Sequence, residues 1–343
     1  LRLCGCNSAL SAASLSCLLS DCPRLSLLET DSDEAFDEWR HFQVRQPFVE
    51  LVGRLSALYL PFIEALELLD NLAECPRLSV LSMGLSASRG GHCELPRVLS
   101  IAPNLTELRV EICGGNFDLR TDQPPAPVPR LKHLSLDWNW SYGENTKIAL
   151  WLLPSLPSLE SLDLGFSEVS DEQFRQILRC LTAGLADLRV EIHGSRCSFG
   201  AELGGPLPPG LQQLQLTGSL FDDPWSLQLL QAGTDDLLAA LLSRLPRLRC
   251  LCINNCSLLT RQAWANLRSL AAWPLDLMEF RALDCTGFSL TDEAVADLCV
   301  SPVARGLRWL HLSDCSQLTA VALASIASGC PWLTELQLEG FRR

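Results

Sequence analysis

The feature that narrows the possible folds furthest is a short apolar spacing that returns along the whole chain. In residues 306–338, GLRWLHLSDCSQLTAVALASIASGCPWLTELQL, Leu307, Leu310 and Leu312 are set as L-x-x-L-x-L, and Cys315 follows three residues later. An apolar, helix-like stretch then leads to the next group at Leu333, Leu336 and Leu338. A strand alternates its side chains, so Leu310 and Leu312 share one face while Trp309, His311 and Ser313 share the other. The first leucines of successive groups are Leu25, Leu55, Leu78, Leu105, Leu131, Leu159, Leu185, Leu211, Leu248, Leu277, Leu307 and Leu333. The 308 residues from Leu25 to Leu333 hold 11 intervals, a mean of 28. With a partial strand at Leu1 to Leu3, about thirteen strands are expected. A unit this small cannot bury its apolar face alone, and stacking on copies of itself supplies the core.

Substitutions within the pattern stay apolar: Phe280 and Ala282 replace two leucines of one copy, and Met83, Val110, Val190 and Ile253 take the last position in others. Three residues past the strand stand Cys6, Cys113, Cys256, Cys285 and Cys315, with Asn139, Ser86, Ser167 and Ser219 in the same slot elsewhere. Asp33, Ile63, His193 and Phe341 break that series, so irregular turns are expected there. Cys22, Cys75 and Cys330 each precede a first leucine by three residues. Half of the sixteen cysteines thus occupy fixed repeat positions, where a small thiol packs and can bond a turn. Reduced structural thiols, and with them a cytoplasmic or nuclear location, follow more directly than a disulfide framework. Three N-x-S/T triplets lie in or beside expected strands, where a glycan would clash.

L-x-x-L-x-L-x-x-C, then a helix ending in C-P-x-L as at Cys330, Pro331 and Leu333, resembles the cysteine-containing leucine-rich repeat. Over nearly all 343 residues the chain is similar to the leucine-rich region of F-box/leucine-rich-repeat proteins. The resemblance implies an α/β leucine-rich-repeat solenoid, a horseshoe with a parallel concave β-sheet and with helices and irregular loops on the convex side. In that family an N-terminal F-box docks on a cullin-based ubiquitin ligase and the repeats select the substrate. No F-box stands within these residues, so a cullin-ligase adaptor is implied as a partner only if one lies outside this chain. The true N-terminus is expected upstream of Leu1. A scaffold or regulator of the ribonuclease-inhibitor-like or GTPase-regulator-like sort, with no ligase link, is the open alternative.

One repeat domain is expected over 1–343, with helices after the strands. The clearest is Ser170 to Leu181, where Ser170 and Gln173 form a capping-box pattern and Phe174, Ile177, Leu178 and Leu181 share a face. Others are expected at 11–20, 62–74, 145–153, 237–244, 261–271, 292–299 and 320–328. Residues 32–54 read as an inserted helical segment through Phe36, Trp39 and Phe42, and 114–129 and 194–210 as Pro/Gly-rich loops.

No catalytic, cofactor or metal motif is present, and the chain reads as non-enzymatic. Cys250, Cys252 and Cys256 come nearest to a metal pattern, but no fourth ligand accompanies them. A net charge of −13 argues against nucleic acid, which calls for a basic stripe, and favours a basic protein partner or plain solubility. No apolar run is long enough to span a membrane.

The expected binding surface is the concave face. A dozen parallel strands about 4.8 Å apart give it a length on the order of 55 Å, the scale of a macromolecule. Its candidate residues are Tyr59, Glu107, Arg109, Glu111, His133, Asp137, Trp138, Asp163, Asp187, Arg189, Glu191, Glu279, Arg281, Trp309 and His311. Acids outnumber arginines there, and three strands carry an acid–x–Arg motif. Cross-strand ion pairs that keep a broad sheet soluble, or a negatively biased groove with aromatic anchors for a basic partner, both fit that pattern.

Overall fold

Each repeat opens with a turn whose chemistry is written in C-P-x-L. The amide of the first leucine donates to the carbonyl three residues back: Leu78 to Cys75 at 3.1 Å, Leu105 to Ala102 at 3.2 Å, Leu248 to Leu245 at 3.1 Å and Leu333 to Cys330 at 3.2 Å. That closes a β-turn, and Pro76, Pro103, Pro246 and Pro331 occupy its second position, where the ring presets φ. Cys75 and Cys330 are buried and supply the accepting carbonyl. The third position of the turn is the exposed corner.

The residue after the leucine then links one repeat to the next. The carbonyl of Ser56 accepts from the Ser79 amide at 2.9 Å, the Val80 amide at 3.1 Å and the Ser79 hydroxyl at 3.1 Å. Ser79 in turn accepts from the amides of Thr106 and Glu107 and from the Thr106 hydroxyl at 3.0 Å. Further along, the Thr334 hydroxyl donates to Arg308 at 2.9 Å. One carbonyl thus takes three donors, which fixes where each strand starts.

The computed structural model describes residues 2–3, 21–22, 24–30, 53–63, 75–86, 95–113, 125–139, 145–166, 169–192, 207–218, 242–254, 261–269, 277–283, 290–313 and 315–340. They divide into an N-terminal unit, Leu1–Leu159, and a C-terminal unit, Glu160–Arg343. In the N-terminal unit, strands β1 (Arg2–Leu3), β2 (Leu27–Thr30), β3 (Ala57–Ile63), β4 (Val80–Ser86), β5 (Glu107–Cys113) and β6 (His133–Asn139) pair parallel in chain order. Helices α1 (Leu95–Ile101) and α2 (Asn145–Leu152) accompany them. The leucines at the first and fourth positions, Leu55 and Leu58, Leu78 and Leu81, Leu105 and Leu108, are each at most 1% exposed. Burying each such side chain contributes about 2 kcal/mol.

In the C-terminal unit, β7 (Ser161–Phe166), β8 (Asp187–Ile192), β9 (Gln213–Gly218), β10 (Cys250–Asn254), β11 (Glu279–Leu283), β12 (Trp309–Leu312) and β13 (Glu335–Leu338) again pair parallel in order. Helix α3 (Asp171–Cys180) has the expected capping box, with the Ser170 amide donating to Gln173 Oε1 at 2.9 Å and the Gln173 amide to Ser170 Oγ at 3.3 Å. Helices α4 (Arg261–Ser269), α5 (Asp292–Val300) and α6 (Ala320–Gly329) follow β10, β11 and β12. Trp264 of α4 meets Phe280 of β11 edge-on, ring centroids 5.9 Å apart, so the helix lies on the face of the sheet that carries the leucines. Phe280 fills the volume that Ala282 leaves two residues on, and both are 1% exposed. Cys315, in the slot three residues past its strand, donates Sγ–H to the Leu312 carbonyl at 3.2 Å.

Three expectations change. Helix α1 is not among the expected helices, and its Pro96 stands in the first turn, where a proline costs no hydrogen bond. Residues 62 and 63 belong to β3 rather than to a helix over 62–74, of which 64–74 lie outside the described residues. The irregularity expected at Ile63 falls earlier, where the β3–β4 register shifts between Leu60 and Phe62 around Pro61, a residue with no amide to give.

Further expectations fall largely outside the described residues. Helices over 11–20 and most of 237–244, the inserted segment over 32–52 and the greater part of both Pro/Gly-rich loops lie outside the described residues. The end of the first loop is pinned, with the Val128 amide donating to the Ser155 carbonyl at 2.9 Å and Ser155 Oγ to the Pro125 carbonyl at 2.9 Å. Among the described residues no helix is long and apolar enough to cross a membrane.

Candidate protein-interaction face

Alternation along each strand puts the third, fifth and seventh positions of a repeat on the face opposite the leucines. Parallel pairing without a register shift then lines those positions up from strand to strand. In the C-terminal unit the third-position row runs Ser161, Asp187, Gln213, Cys250, Glu279, Trp309, Glu335. The fifth-position row beside it runs Asp163, Arg189, Gln215, Cys252, Arg281, His311, Gln337. Glu191 stands two residues beyond Arg189 on β8. All eight candidates expected within this unit therefore share the face opposite its leucines. In the N-terminal unit, Tyr59 is in register with Ser82, Arg109 and Ser135, Glu107 with His133, and Glu111 with Asp137.

Trp138 is the exception. It pairs with Ile112, a buried rung, and so occupies the eighth position, on the parity of the core-facing residues rather than that of Asp137.

The three acid–x–Arg motifs each close within their own strand. Glu107 Oε1 lies 2.7 Å from Arg109 Nη2, Asp187 Oδ2 lies 3.6 Å from Arg189 Nη2, and Glu279 contacts Arg281 Nε. Cross-strand pairing was one of the two readings of these motifs, but the registered neighbours of Arg109 are Ser82 and Ser135, and those of Arg281 are Cys252 and His311. The nearest carboxylate is two residues back along the chain. Only Arg189 also has an acid directly across, Asp163. The guanidinium groups are about half exposed, so each pair contributes under about 1 kcal/mol, and its main effect is to hold the arginine extended along the strand.

Trp309 is 48% exposed, between Glu279 on one side and Glu335 on the other. Next to it, His311 Nε2 lies 3.3 Å from Glu339 Oε1 but off the hydrogen-bond direction, and Gln337 Nε2 donates to the same carboxylate oxygen at 2.6 Å. An indole framed by carboxylates on a rigid sheet is equipped to receive a cationic side chain.

Gln213, Gln215, Cys250 and Cys252 complete the face between Arg189 and Arg281, and the sequence reading did not place them there. Their signal lies in the third and fifth positions of L-x-x-L-x-L, which all four hold. Burial first, and then the Glu279 charge against the pull of Arg281, pushes the Cys250 thiol up to about 12. Burial also raises Cys252, again with Arg281 opposing. Both are held as thiols at neutral pH, the less nucleophilic form. Among the described residues no group of three or more His, Cys, Asp or Glu could hold a metal ion.

No protein-family model matches the chain, and no curated protein matches it. Solved structures do. The crystal structure of the leucine-rich-repeat-containing protein LegL7 from Legionella pneumophila is similar over 86% of this chain and 87% of its own, with 16% identity and a TM-score of 0.50. A chain of the Rad7 and Elc1 complex from yeast is similar over 84% of this chain and 68% of its own, with 20% identity and a TM-score of 0.53. These likenesses are of fold, and with the repeat architecture they identify the chain as an α/β leucine-rich-repeat solenoid.

Proposed function

We propose that the open face of the C-terminal unit captures a protein partner of basic character, and that the chain is the substrate-recognition part of an F-box-type ubiquitin-ligase adaptor. The observation that carries the binding reading is Trp309, half exposed between Glu279 and Glu335 in a row of polar side chains. A large aromatic has no packing reason to stand on that side of a strand whose leucines are buried opposite. The ligase assignment rests on the cysteine-containing repeat and its C-P-x-L endings. That a similar chain is found in a complex named for two proteins, Rad7 and Elc1, is in keeping with a binding role.

The double variant Arg189→Glu, Trp309→Ala tests the face. Partner recovery in affinity purification should fall at least about tenfold while the circular dichroism spectrum is unchanged. Undiminished recovery removes the face from consideration. Recovery of partners without a cullin adaptor, from a chain that carries its native N-terminal flank, leaves the binding reading and removes the ligase one in favour of a scaffold or regulator.

A further inference from the structure

The strand-entry turns of the N-terminal unit carry a second charged surface of opposite sign. The exposed corner of each turn, the residue just before the first leucine, is Arg24, Arg54, Arg77, Asn104 and Arg130 in five consecutive repeats. Lys132, one residue past its leucine, adds to the same edge. All four arginines and Lys132 are exposed. Among the described residues, Arg24 and Arg77 make no ion pair. The one acid within the described residues of these turns is Asp21, at the end beside Arg24.

The corners are also tied to one another. Asn104 Nδ2 donates to the Pro76 carbonyl of the preceding turn at 3.0 Å, and Arg130 Nη1 donates to Asn104 Oδ1 at 2.5 Å. The side chains therefore run along the edge from turn to turn.

Nothing in the turn itself demands arginine. In the C-terminal unit the same corner is Gly184, Gly210, Arg247, Gly306 and Trp332, and at Gly210 an added Cβ would come within 3.3 Å of the Ala183 carbonyl. Basic corners are thus concentrated in the N-terminal unit, Arg247 being the arginine among the described corners of the C-terminal unit, in a chain whose net charge is −13.

From this run of four exposed arginines in five successive turns we infer that the strand-entry edge of the N-terminal unit is a docking surface for an acidic, extended peptide segment of a partner protein. With strands about 4.8 Å apart, Arg24 to Arg130 covers four steps, or about 19 Å, the length of about six extended residues. Carboxylates on such a segment meet a guanidinium at nearly every step, a charge-assisted contact to which arginine's donor fork is suited. A nucleic-acid strand fits less well. The corners of this unit bear no aromatic side chain on which a base could stack, and the acidic balance of the chain repels a polyanion of high charge density.

The test is fluorescence anisotropy with a labelled dodecapeptide of alternating Glu and Ser and with a single-stranded oligothymidine of similar length. The peptide should bind the wild-type chain at about 50 mM salt and weaken sharply by about 300 mM. The variant Arg24→Glu, Arg77→Glu, Arg130→Glu should lose at least about tenfold in affinity for it, while Arg281→Glu on the open face changes it less than about twofold. The same three positions changed to Gln give the loss without charge reversal, should the glutamates disturb folding. Tighter binding of the oligothymidine, equal binding by the variants, or no peptide binding at low salt would each overturn the inference.

Discussion

Gly329→Ala sets two effects of opposite sign against each other. Gly329 is the last residue of α6 and has no positive φ, so on helix propensity alone alanine should stabilise the chain by about 1 kcal/mol. The packing says otherwise. A Cβ at this position would lie 2.6 Å from both Cβ and the carbonyl oxygen of Cys299 and 3.0 Å from its carbonyl carbon, where ordinary contacts begin near 3.4 Å. Two of those atoms are main chain near the end of α5, so relief requires moving the helix pair apart rather than turning a side chain. Overpacking of that kind costs about 1–3 kcal/mol, and a clash against backbone belongs at the upper end. Sterics therefore outweigh propensity, and a net destabilisation of about 1–2 kcal/mol is expected. Urea unfolding followed by tryptophan fluorescence should show the midpoint falling with an unchanged slope. Because Cys299→Ala retains the Cβ and the carbonyl, it should not rescue the variant. A Gly329→Ala chain as stable as the parent, or more so, would refute the close approach of α5 and α6 as the reason for glycine here.

Further outcomes follow from two titratable groups. Cys250, with its thiol held up to about 12, should react with iodoacetamide at pH 8.5 far more slowly than an exposed cysteine, as peptide mapping can resolve. Because its folded pKa lies above the ordinary 9.0, the stabilisation it carries is complete below that value and drains away as the pH rises toward 12, so Cys250→Ser should flatten the alkaline arm of the stability profile. Asp292 at the start of α5 accepts the Thr319 hydroxyl at 2.5 Å and the Thr319 amide at 2.8 Å, and those bonds, the hydroxyl first, hold its carboxyl below the usual 3.8. Asp292→Asn should cost about 1 kcal/mol at neutral pH. With the folded pKa depressed, that contribution is present above pH 3.8 and is lost as the pH falls through the lower folded value, so the two chains should converge in acid.

The strands were legible because one constraint acts on each of them: a rung two residues past the marker leucine must alternate between core and solvent. From Leu27 in β2 to Glu335 in β13 every strand starts at that offset. Helix α3 was legible for a similar reason, since Ser170 and Gln173 serve only their own turn. Residues whose role depends on a neighbouring repeat could not be read in the same way. The hydroxyls of Ser56, Ser79 and Thr106 look like ordinary polar residues until the preceding carbonyl is brought beside them. The pairing of Glu279 with Arg281 along one strand depended on what stood across from each, and so did the company Cys250 and Cys252 keep on the open face. Trp138 shows the limit from the other side, since a single step in parity separates an open-face position from a core-facing one.

The strand-entry turn separates what holds this molecule together from what it can present to others. Its hydrogen bond joins two main-chain groups, and its proline and leucine are set by conformation and burial, so the corner residue contributes nothing that the turn requires. Arginine, asparagine, serine, glycine and tryptophan all occur there. Mutational drift at that one site per repeat can retune charge and shape along an entire edge while the architecture stays constant. On the rungs of the sheet, by contrast, each change has to be accommodated by partners two residues along and one strand across.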